Sequence, residues 1–145
     1  MEILQKPAFK VVGIPVIATW DELWTEVPAV WDEVLSRQTE IRHRVNALFL
    51  DISLNKFGDT YTQLVCAEVS AFEQVPAGMI TWEIPDQRYL YHRHEGTLKD
   101  IAGSFGQMYQ WAAENNLSID DFKLDCGYTV ASHERQHDLY IRVIG

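Results

Sequence analysis

The feature that most constrains this chain is an order of elements that occurs twice: a strand-like run, an amphipathic helix, then two more strand-like runs. The first copy starts near Val11 and the second near Met79. Phe9-Lys10-Val11-Val12-Gly13-Ile14 reads as a strand, and Pro15 to Trp24 as a connection. Pro28 suits the first turn of the helix that follows, where its missing N–H costs little. Val27, Val30, Trp31, Val34, Leu35 and Ile41 recur at helical spacing, with Asp32, Glu33, Arg37 and Glu40 on the other faces. This helix is expected to end before Val45. Residues 47–53 and 61–70 then form a hairpin around Asn55-Lys56-Phe57-Gly58-Asp59, which is turn chemistry.

In the second copy, Met79 to Pro85 and Arg88 to His94 read as strands. Thr97 is placed to cap a helix running to about Glu114, with Leu98, Ile101, Phe105, Met108, Tyr109 and Ala112 as its inner stripe. Gly103 and Gly106 weaken that helix by roughly 1 kcal/mol each, and are read as allowing close backbone packing. Phe122 to Val130 and His137 to Ile144 close the chain as a hairpin around Ser132-His133-Glu134-Arg135. Consecutive strands pair as hairpins while each helix crosses one face of the sheet. The expectation is an α+β fold in one domain, residues 1–145, with repeats at about 9–72 and 79–144. Such a frame builds a cleft between its halves.

Composition removes several function classes. Twelve basic residues against 21 acidic ones give a net charge of −9, and no basic stripe is visible, which argues against direct nucleic acid binding. No apolar run approaches a membrane span, and Met1 to Lys10 lacks the pattern of a signal peptide. Cys66 and Cys126 stand far apart in apolar runs, without a C-x-x-C pair, as buried free thiols in a reducing cytoplasm. His92 and His94 share a strand face and with His133 and His137 have the residue types of a metal site. Turn and hairpin positions favour structural roles for them, and no cofactor is implied. Gly103-Ser104-Phe105-Gly106 falls inside a helix and cannot cradle phosphate. No Ser-His-Asp set or nucleophile elbow is present.

Several segments resemble the GyrI-like effector-binding family. They are Val27-Pro28-Ala29-Val30-Trp31, Leu64-Val65-Cys66-Ala67-Glu68-Val69 and Val75-Pro76-Ala77-Gly78-Met79. Ile84-Pro85-Asp86-Gln87-Arg88-Tyr89 leads to His94-Glu95-Gly96, followed by Tyr109-Gln110-Trp111 and Leu139-Tyr140-Ile141-Arg142-Val143. Their order covers nearly the whole chain. The resemblance implies two β-α-β-β repeats about a pseudo-twofold axis, an antiparallel sheet, and two long helices flanking a ligand cleft. It also implies capture of amphipathic aromatic cations by stacked rings and a buried acid. In the family that acid is typically a Glu after an aromatic residue in the strand following the second helix. Here Lys123 follows Phe122, and Asp125 lies two residues on, on the same strand face. With no helix-turn-helix ahead of it, the chain looks like a standalone cytoplasmic member.

A carboxylate in an apolar pocket is costly unless a cation or donors compensate it, and aromatic faces add cation–π contacts of roughly 0.5–2 kcal/mol each. Asp125, Asp51 and Glu68 are the candidate acids. Trp31 and Trp111, on the two helices, are the first candidate rings, with Phe49, Tyr109, Tyr91 and Trp82 behind them. The expected role is a non-enzymatic binding module with a cationic amphipathic small molecule as partner and no membrane contact. Exposed strand edges allow a homodimer. Two other roles are implied by the resemblance. One is hydrolysis of small electrophiles; the other is modulation of DNA gyrase or of a transcription regulator.

Overall fold

Val11, Val12, Gly13 and Ile14 are all buried, so this run is covered on both faces, which is why it shows no polar alternation. The computed structural model describes residues 1–130 and 135–144. The elements are β1 (Glu2–Lys6), β2 (Phe9–Thr19), α1 (Trp20–Ser36), β3 (Phe49–Phe57), β4 (Thr60–Val69), β5 (Ile80–Ile84), β6 (Gln87–Glu95), α2 (Ile101–Glu114), β7 (Ile119–Tyr128) and β8 (Gln136–Val143). The chain is α+β. All strands join one antiparallel sheet in the order β1-β6-β8-β7-β3-β4-β2-β5.

Each half is therefore strand-strand-helix-strand-strand, because β1 precedes the first strand expected from the sequence. Each half also lends its first strand to the other: β1 pairs with β6, and β5 with β2. Pro7-Ala8 links β1 to β2, and Pro85-Asp86 links β5 to β6. Lys6 pairs with Gln87 and Phe9 with Ile84, while three Cα steps span at most about 11 Å. The two edges of the sheet therefore meet at this corner. Lys6 Nζ lies 4.9 Å from the Phe9 ring centre and 5.6 Å from that of Tyr140. The sheet is rolled, and Phe9, Val11, Ile52, Leu64, Ile84 and Leu124 fill the inside.

The helices sit on the outer face. Val30, Trp31, Val34 and Leu35 of α1 pack over Val12, Ile14, Val65 and Ala67, and α2 packs through Ile101, Met108 and Ala112 over Leu90, Leu139 and Ile141. The central strands β3 and β7 are left between them. The expected first helix began near Pro28; α1 begins at Trp20. The Glu22 carboxylate accepts bonds from the Thr19 N–H at 2.9 Å and the Thr19 hydroxyl at 2.8 Å, a capping arrangement that fixes the start of the helix. Pro28 is thus inside the helix, where it takes the i+4 donor away from the Trp24 carbonyl at a typical cost of about 3 kcal/mol. The helix ends at Ser36, before Val45 as expected, but Ile41, expected in its stripe, is buried beyond it, past a 3-10 turn at Gln38–Glu40.

Thr97 precedes a 3-10 turn, Leu98–Asp100, that leads into α2. A Cβ added at Gly103 or Gly106 would meet nothing within 4 Å, so neither glycine serves close packing. His94 bonds Ser104 Oγ at 2.7 Å and the Thr97 carbonyl at 2.9 Å. His137 bonds Asp125, and no cluster of potential metal ligands occurs among the described residues. His133 and the turn expected at 132–134 lie outside the described residues. Cys66 and Cys126 are free, both flanking Leu50 in the sheet register. No helix is long and apolar enough to cross a membrane among the described residues.

Candidate functional site

Between the helices, over β3 and β7, lies a cleft of about 530 Å³, within the range of small-molecule sites. Trp20, Trp24, Val27 and Trp31 form one wall, one helical turn after another along α1. Leu98, in the turn that leads into α2, and Ile101, Ala102 and Phe105, from the start of α2, form the opposite wall. Asp51, Ser53, Lys123, Asp125 and Tyr128 form the floor. Trp20 and Trp24 are 56% and 70% exposed, so they belong to the rim of the cleft and not to the core.

Asp51 and Asp125 face each other directly across β3 and β7, which sets their Cβ atoms about 5 Å apart. Their surroundings differ. Asp125 accepts a bond from the Tyr128 hydroxyl and one at 2.9 Å from His137 Nδ1. Asp51 Oδ1 is buried without a hydrogen-bond partner. Burial pushes the Asp51 carboxyl up to about 7, the neighbouring Asp125 charge adds to the rise, and the Trp31 indole opposes it. The result is one carboxylate met by two hydrogen-bond donors beside one whose burial favours keeping its proton up to near neutrality.

A bulge places the Tyr128 donor. The β3–β7 register steps from Phe49↔Tyr128 to Leu50↔Cys126, which skips Gly127. Without the extra residue, positions 125 and 128 would point to opposite faces. Gly127 has a φ of +131°, a conformation that excludes side chains. The Tyr128 ring also packs against Trp31, with centres 4.5 Å apart, and so joins the floor to the α1 wall. Burial and the adjacent carboxylates hold the Tyr128 phenol far above its usual range, so it acts as a donor.

Of the nine candidate residues, the structure brings Asp51, Asp125 and Trp31 together in this cleft. The other six lie elsewhere. Glu68 is opposite Val11, on the face turned away from the helices. Phe49 is fully buried beneath α1, with the Arg44 guanidinium 4.5 Å from its ring centre. Trp111, on α2, is partly buried and packs against the cluster beneath that helix. Tyr109 donates to the Asp120 carbonyl at 2.8 Å. Tyr91 donates to Asp138 at 2.6 Å beside Tyr140, and Trp82 is on the edge strand β5, 44% exposed. Sequence reasoning missed the rim residues Trp20 and Trp24, together with Phe105 and Tyr128. Thr19-x-x-Glu22 signals the earlier helix start that would have supplied the first two.

Residues 2–143 match the family of integron-associated effector binding proteins, Cass2. The chain belongs to that family. This effector-binding domain is also 28% identical over 109 residues to the transcriptional regulator BrlR of Pseudomonas aeruginosa. That alignment takes in 74% of the chain and 39% of BrlR, so the chain spans well under half of that relative's length. Among solved structures it is similar to SAV2435 bound to tetraphenylphosphonium, with a TM-score of 0.76 at 11% identity, covering 99% of this chain and 93% of the other. It is likewise similar to the integron cassette protein VCH_CASS2 from the mobile metagenome of Vibrio cholerae. There the TM-score is 0.74 at 10% identity, over 99% and 95% of the two chains. At these identities the solved structures show the shared fold, which is the GyrI-like one.

Proposed function

We propose that this effector-binding domain captures amphipathic aromatic cations in the cleft between α1 and the start of α2. The observation that carries the reading is the buried, unpartnered Oδ1 of the Asp51 carboxylate opposite Asp125, at the floor of a tryptophan-lined cleft. A carboxylate in that setting lacks compensation until a cation arrives, and the rings of Trp20, Trp24, Trp31 and Phe105 supply apolar area and π faces to an organic one. Ring burial contributes affinity at about 25 cal/mol per Å², and the carboxylate supplies selectivity against neutral analogues. The duplicated frame and the cytoplasmic setting belong to the same proposal.

Tetraphenylphosphonium, the cation bound by SAV2435, is a suitable first probe. Its titration at neutral pH, followed by tryptophan fluorescence beside a neutral isostere of the same shape, tests the reading. The expected result is saturable quenching by the cation, weak or absent response to the isostere, and loss of that discrimination in Asp51→Asn. Equal affinity for cation and isostere in the wild-type protein would reject the counter-charge role.

A further inference from the structure

The charge inside the cleft does not follow that of the chain. The chain carries −9, yet the lining holds two carboxylates, Asp51 and Asp125, and two lysines, Lys99 and Lys123. Strand register orders them. Asp51↔Asp125 is one rung of the floor, and Ser53↔Lys123 is the next, with Gln63 opposite Ser53 on β4. Two residues along a strand separate these rungs by about 7 Å. Lys99 approaches from the other wall, in the 3-10 turn that leads into α2, where the helix start adds partial positive charge. Asp100 in that turn accepts the Thr97 hydroxyl at 2.9 Å and is not part of the lining.

Lys123 is held loosely for a half-buried ammonium. Its Nζ is 3.3 Å from the Tyr109 hydroxyl and 3.4 Å from the Asp121 carbonyl, both neutral partners at the long end of hydrogen bonding. Asp120, the neighbouring acid, is engaged by Arg142. Among the described residues Lys123 has no carboxylate within ion-pair distance. Burial lowers its pKa, against the fields of Asp121 and Asp120. A simple cation would meet the aspartates at one rung and like charge on the half-buried Lys123 and the exposed Lys99 beyond them.

We infer that the ligand is an aromatic zwitterion, its positive centre over Asp51 and Asp125 and an anionic group about 7 Å away met by Lys123 and Lys99. This rests on the cation-capture reading and refines it. Lys123 is then the residue that sets specificity: its ammonium exchanges two weak neutral acceptors for a charge-assisted one.

A rhodamine dye with a free carboxylate and the ethyl ester of the same dye make the test, since they share ring system and positive charge. Both are titrated into wild-type protein and into Lys123→Met, with Lys123→Gln as a second variant and circular dichroism as the folding control. Wild type is expected to bind the acid roughly tenfold more tightly than the ester, the size of one charge-assisted bond after desolvation. Either variant is expected to bring the ratio to about one, with ester affinity kept or improved. Wild-type binding of the ester as tight as that of the acid overturns the zwitterion assignment and leaves cation capture standing. Failure of wild type to bind either dye overturns both.

Discussion

Replacing Asp51 by Asn should stabilise the protein above neutral pH, because the cleft keeps a carboxylate where folding disfavours its charge. Asp51 rises from 3.8 to about 7 in the folded state. Between those values the native state binds a proton that the unfolded chain has released, so stability falls as pH rises across the window. The loss is complete above about pH 7 and absent below about pH 4. Three pH units at about 1.4 kcal/mol each give an upper bound of about 4 kcal/mol, which the neutral amide of Asn avoids. For a domain of this size that corresponds to a rise of roughly 10 °C in melting temperature. Urea melts of wild type and Asp51→Asn at about pH 8 and about pH 4 measure it. The variant should be more stable at the higher pH, and the gap should close at the lower one. Equal stability at pH 8, or a gap independent of pH, would refute the claim that Asp51 is held charged at a cost.

The same carboxyl sets a pH dependence for binding. A monocation that needs the Asp51 charge should bind about tenfold more weakly at about pH 6 than at about pH 8, by titration calorimetry, as the charged fraction falls. Gly127→Ala should weaken cation binding and lower the melting temperature, because a Cβ there would sit 3.1 Å from the Gln136 carbonyl in a backbone conformation that disfavours side chains. Fluorescence titration and a thermal melt check both parts. Gly13→Ala should destabilise by about 3 kcal/mol or more in urea, since its Cβ would fall inside the Val65 backbone oxygen and against Cys66.

The larger elements were legible because periodicity reports burial, and Val30, Trp31 and Val34 mark a helix face wherever the helix starts. The start was misplaced because Pro28 reads as an opening residue, while tertiary packing tolerates it in the interior. β1 was missed for a related reason. Glu2–Lys6 is mostly polar and lies at a sheet edge, so its order depends on β6, some 80 residues away. Asp51 stood out as an acid in an apolar run, and Asp125 by its place two residues after Lys123, the position where the family resemblance calls for an acid. Their pairing across β3 and β7 could not be read, because the register between strands of different halves leaves no local mark. Tyr128 escaped for another reason: its face depends on the bulge at Gly127, which inverts ordinary alternation. Glu68 was drawn in by the family resemblance and Tyr91 and Trp82 by residue type, and the rolled sheet puts them on its other side or edge.

The exchange of first strands between the halves bears on how the chain can acquire its structure. β1 pairs with β6 alone in the sheet order, so Met1–Lys6 must wait until Gln87–Tyr91 has left the ribosome. The partner of β5 is already present by then, whereas the first half closes only when the second supplies Ile80–Ile84. Neither half can mature by itself. The two should melt as a single cooperative unit and fold slowly for their size, as chains dominated by distant pairings do.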